Sequence, residues 1–158
     1  IAYSSVGAYG PFQLMKSVAR SHGLIVNSTV DERKDFDKSA MGAASLLRET
    51  CVPEAKRILK KHDISFNEQD LWFRLFVLHI YHAGAGNVNG LLSSINPKNG
   101  GQELITTMWQ SEWGGFKNAS QNYSQVALAS LLRLHELIYS SCDGVFECTP
   151  EESAVIEK

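Results

Sequence analysis

SSVGAYGPFQLMKSVARSHGL, from Ser4 to Leu24, sets two glycines around a short polar turn and follows them with an amphipathic run. Gly7 and Gly10 suit a tight turn, and Pro11 stands where a helix can begin without its N–H. From Phe12 onward, Phe12, Met15, Val18 and Ala19 share one face at helical spacing, Gln13 and Lys16 fall off it, and Gly23 supplies a stop. The spacing predicts a helix beginning at Pro11 that presents Gln13 at its first turn.

A glycine turn entering a helix is also a generic structural device, so the particular residues matter. They resemble the glycine-rich motif of the lysozyme-like lytic transglycosylases of the soluble-lytic-transglycosylase (SLT) type, closest in style to the membrane-bound members. That motif, S-x-x-G-A-x-G-[LP]-[MFW]-Q-[FIL]-M, is matched by Ser4, Gly7, Ala8, Gly10, Pro11, Phe12, Gln13, Leu14 and Met15.

The chain has 158 residues, 44% hydrophobic and 20% charged, which suits one soluble globular core. Its formal charge of -2 argues against a phosphate-binding surface, so no nucleic-acid partner is expected. No run is long enough for a transmembrane segment, and no signal-peptide pattern opens the chain. A start at Ile1 reads as a mature or trimmed fragment. Cys51, Cys142 and Cys148 lack metal-ligand spacing. Cys51 suits a buried small hydrophobe, and Cys142 with Cys148 would close a small disulfide loop in an oxidising compartment.

Residues 25–36 read as a connector ending in a charged run, DERKD, which by itself describes a solvated loop. Its order is similar to the D-x-R-x-D-P-x-x-[SN] string of the same family through Asp31, Arg33, Asp35 and Ser39, with Phe36 in place of proline. Asp37 or Ser39 would cap the next helix and Arg33 would tie the loop down. Residues 39–49 and 53–62 read as two helices, the second starting at Pro53 with Lys56, Arg57, Lys60 and Lys61 on a solvated face.

Ser65 and Glu68 have capping-box spacing ahead of the most apolar run, LWFRLFVLHIY. That helix should be buried on more than one side. Its end, Tyr81-His82-Ala83-Gly84-Ala85-Gly86, resembles the family's A-Y-N-A-G-x-G, with His82 where asparagine is usual. His79 and His82, three apart, lack further ligands for a metal, so packed or capping histidines are expected and no metal or cofactor. Shorter helices follow over 88–95 and 102–109. Trp109 and Trp113 would complete the core, or Trp113 in SEWGGF would stack on a sugar.

A last helix spans about 120–140, with Val126, Leu128, Leu131, Leu132, Leu134, Leu137 and Ile138 as its apolar set. Its start resembles the family's E-T-x-x-Y-V segment through Tyr123, with Ala119 at the glutamate position and Ser120 at the threonine. Residues 142–158 read as an acidic tail beyond a domain of residues 1–141.

The resemblance implies an all-α, lysozyme-like multi-helix domain with a glycan-binding cleft, acting on peptidoglycan glycan strands in the bacterial cell envelope. It implies non-hydrolytic cleavage of the MurNAc–GlcNAc bond: one glutamic acid protonates the leaving oxygen and then serves as base while the sugar's C6 hydroxyl attacks C1. That chemistry needs one acid of raised pKa and no second carboxylate. In the family the acid lies shortly before the glycine motif, so here it is expected upstream of Ile1, and the fragment should be inactive. The implied substrate-binding residues are Ser4, Gln13, Met15, Tyr81, His82 and Tyr123. An inactive peptidoglycan-binding module and a hydrolytic lysozyme are the alternatives.

Overall fold

A computed structural model describes residues 3–145, with side chains through Tyr139. Its elements are α1 (Lys16–Ser21), a 3-10 turn (Glu32–Lys34), α2 (Phe36–Leu46), a π turn (Leu47–Cys51), α3 (Val52–Lys61), α4 (Leu71–Ala83), α5 (Ala85–Ile95), α6 (Gln102–Trp109) and α7 (Ala119–Val145). Isolated bridges, such as Tyr9 with Leu14, are the only extended pairing among the described residues. The molecule is all-α.

α4 is central because its apolar residues surround the helix: it packs on α3, α5, α6, α7 and the π turn. Phe73, Phe76, Val77 and Ile80 are buried there with Ile58, Leu59, Leu91, Leu92, Met108 and Phe116. Each such side chain contributes roughly 1.5–3 kcal/mol through removal from water. A smaller cluster, Leu14, Ala19, Leu24, Val26 and Ala43, lies under the glycine motif and α2. Leu46 and Tyr81 pack against both.

Four local expectations are corrected. The helix predicted from Pro11 starts at Lys16, because residues 9–14 close into a bridge and Gln13 takes a left-handed φ of 49°. The cap of α2 is Asp35, whose Oδ1 accepts the Lys38 N–H at 3.0 Å, rather than Asp37 or Ser39. The two helices expected over 39–49 and 53–62 run on through the π turn, a widened turn just before Pro53, whose nitrogen cannot donate. Ser65 and Glu68 cap nothing: α4 starts later, at Leu71, and Glu68 pairs with Lys56.

Arg33 does tie the loop down. It is 5% exposed, binds both Asp31 oxygens at 2.9 and 2.7 Å, and donates to the carbonyls of Gly7 and Leu14. Two further packing expectations fail. Trp109 and Trp113 are 43% and 42% exposed rather than core, and the apolar set of α7 lies largely in solvent, with Leu132 60% exposed. α7 continues to Val145, so residues 142–145 are helical; residues 146–158 and the Cys142–Cys148 pairing lie outside what is described.

Candidate functional site

The end of α4 is where the separate sequence signals meet. Gly84, at φ 83°, both ends α4 and starts α5, which leaves Tyr81 and His82 on the last turn. The Tyr81 hydroxyl donates to the Phe12 carbonyl at 2.6 Å, joining the α4 terminus to the glycine turn across 69 residues. Beside it the His82 ring stacks on Tyr123 of α7 with centroids 4.3 Å apart. Burial pushes the Tyr81 phenol up to about 12 and raises that of Tyr123, so both are neutral hydroxyls at physiological pH.

Gln13, next to Phe12, is exposed and held in the left-handed region, where a residue with a Cβ is strained. Its Nε2 donates to the Gly10 carbonyl at 2.8 Å. Gly10 is required at the base of the turn: at φ 84°, an added Cβ would lie 1.8 Å from the Arg33 carbonyl oxygen. The turn thus depends on the charged loop read next to it in the sequence.

Tyr81, His82 and Tyr123 are brought together, with Gln13 adjoining through the Phe12 backbone. Ser4 is used locally, its Oγ accepting the Ala8 N–H at 2.8 Å, and Met15 is the 39% exposed cap residue of α1. The grooves of about 730 Å³ between α2 and the segment that follows α1 and about 500 Å³ between α4, α6 and α7 are lined by other residues. The candidate site is therefore an open surface where the two core clusters meet.

Ser120 is the site residue that sequence reasoning missed as a contact. His79 Nδ1 donates to its carbonyl at 3.0 Å, and His82 Nδ1 shares a hydrogen bond with its hydroxyl at 3.1 Å. Both histidines thus clamp α7 onto α4, and burial lowers the pKa of each, to about 4 at His79. The signal was the i, i+3 spacing itself, which sets two rings on one face. Asn87 fastens the Trp113 loop, donating to the Ala83 carbonyl and accepting the Gly115 N–H. The Trp113 ring lies over Gly90, where a Cβ would come within 2.3 Å of it.

Four carboxylates are partnered in the opposite sense to a general acid. Hydrogen bonds from Arg33, Lys38, Arg48 and Arg57 lower the pKa of Asp31, Glu32, Glu49 and Glu54 respectively. Glu68, Glu103, Glu112 and Glu136 are exposed. No group of three metal-binding side chains occurs, and no helix is long and apolar enough to cross a membrane, among the described residues.

The family model of the transglycosylase SLT domain matches residues 1–100. No curated protein and no solved structure matches the chain. The matched span ends after α5, so Tyr123 joins the site by its stack on His82 and not by that match.

Proposed function

Because the chain belongs to the transglycosylase SLT domain family, we propose that it is the glycan-binding part of a peptidoglycan lytic transglycosylase, working in the bacterial cell envelope. The observation that carries this reading is the Tyr81 hydrogen bond to Phe12, which unites the glycine motif and the Tyr81–Gly86 motif on one surface. Strain at an exposed Gln13 agrees with it: unlike Asp63, Asn96 and Asn118, which share its left-handed φ, glutamine is a residue type that seldom adopts it.

In this reading Gln13, Tyr81, His82 and Tyr123 hold the sugars, with Met15 and Ser4 shaping the wall beside them. Neutral tyrosine hydroxyls and the glutamine amide suit hydroxyl and acetamide groups. The general acid is a glutamate preceding Ile1. It protonates the glycosidic oxygen as the C1–O bond breaks, then takes the proton of the C6 hydroxyl, which bonds to C1 and leaves a 1,6-anhydro end. Asp31, Glu32, Glu49 and Glu54, whose pKa values are lowered by hydrogen bonds from arginine or lysine, are unsuited to that role.

Ala119, at a position where the family's segment has glutamate, favours a second reading, a peptidoglycan-binding module without catalysis. One experiment separates the readings. The chain extended by its natural upstream residues is incubated with peptidoglycan, and released muropeptides are read by mass spectrometry. Anhydro ends that vanish when an upstream glutamate becomes glutamine support the transglycosylase. Reducing ends indicate a hydrolase, and binding without release indicates the module.

A further inference from the structure

We propose that residues 131–139 of α7 form a self-association surface, on which a second copy of this chain packs antiparallel. The inference is independent of the glycan reading. It begins with the spacing of the α7 stripe that lies towards the body. Ser120, Ser124 and Ala127, four and three residues apart, are buried or half-buried where α7 meets α4 and α6. The same alternation continues as Leu131, Leu134 and Ile138, the repeat of a helix–helix seam.

The partner helix stops short of that continuation. α4 begins at Leu71, which lines one groove together with Leu128 of α7. Beyond it every residue from Leu131 to Tyr139 is exposed. The small side chains of the seam therefore face α4, while its large apolar ones face water.

Size favours a protein occupant. Leu71, Leu131, Leu132, Leu134, Ile138 and Tyr139 keep between 39% and 60% of their surface. Together they expose on the order of 600 Å², the upper end for a patch on a monomer. Two such faces bury roughly 1,200 Å², the lower bound for a specific stable interface.

Three features select a second copy. The seam carries no carboxylate, lysine or arginine, since Arg133 and Glu136 lie on the opposite side and pair with each other at 2.9 Å. Identical apolar seams are self-complementary, as a two-fold interface requires. An antiparallel arrangement also places the two globular bodies at opposite ends of the helix pair, whereas a parallel one would crowd them together.

Sedimentation equilibrium of the 158-residue chain tests this, with circular dichroism on every variant. The expected result is a concentration-dependent mass approaching twice 17.5 kDa. Leu134→Glu and Ile138→Glu, each putting a charge into the seam, should weaken dimerisation on the order of a hundredfold while helicity is retained. Ala129→Glu, on the side of α7 that carries Arg133 and Glu136, should leave the dimer intact. A wild-type chain that stays monomeric throughout overturns the proposal, as does a dimer indifferent to both seam variants.

Discussion

Burial keeps the His79 imidazole neutral, and that ring, with His82 acting in the same direction, couples the stability of the α4–α7 contact to pH. Its pKa falls from 6.5 to about 4, chiefly through desolvation, with neighbouring His82 adding in the same direction. Between those values the unfolded chain binds a proton that the folded chain does not. Stability from this group is therefore fully present above pH 6.5 and is lost as pH falls towards 4. The total is roughly 3 kcal/mol at most. We expect the melting temperature to drop across that window in a pH series. His79→Asn, less stable at neutral pH for want of the ring's packing on Phe116, should show a flatter profile. An equal slope in both proteins would place the sensitivity elsewhere. Below this range Asp31 follows with the same sign, because Arg33 holds its carboxylate ionised and that stabilisation is lost as the acid protonates.

Elements differ in how far local residues dictate them. The glycine turn depends on a distant carbonyl: Gly10→Ala meets both a positive φ and the Arg33 oxygen, and should destabilise by about 3 kcal/mol or more. Gly86, in α5 with open space where a Cβ would go, is the contrasting case. There alanine should stabilise by about 0.5–1 kcal/mol. Urea midpoints for both variants measure the contrast directly. The same distinction explains what could be read in advance. α6 was legible to the residue at 102–109, and most of α5 at 88–95, since their apolar spacing and flanking glycines are local. The start of α1 was not: Pro11 permits a helix, but Arg33 binds the Gly7 and Leu14 carbonyls and keeps the segment a turn. At the site, the motifs pointed to Gln13, Tyr81 and Tyr123 as residues. The contacts among them, and the role of Ser120, depend on how α7 docks against α4, which no single segment encodes.

Across the whole molecule, two cores of unequal size share one boundary. Among the described residues, sixteen buried side chains form the cluster around α4, against five beneath the glycine motif. The smaller unit gains less from burial and depends on polar ties, chiefly Arg33 and the Tyr81–Phe12 bond. Such a unit should open on its own at a lower free energy than global unfolding. Native-state hydrogen exchange should therefore find the Ala19 and Leu24 amides, both bonded within the small unit, exchanging before those of Phe76 and Ile80. Arg33→Ala removes a buried cation and leaves Asp31 unpaired, a loss on the order of 3–5 kcal/mol. Because that loss belongs to the small unit, it should speed Ala19 and Leu24 while scarcely moving Phe76 and Ile80. If all four amides accelerate together, the two clusters unfold as one. If the first pair alone responds, Gln13 rides on the more easily opened half, and a glycan bound between Gln13 and Tyr81 would slow that opening.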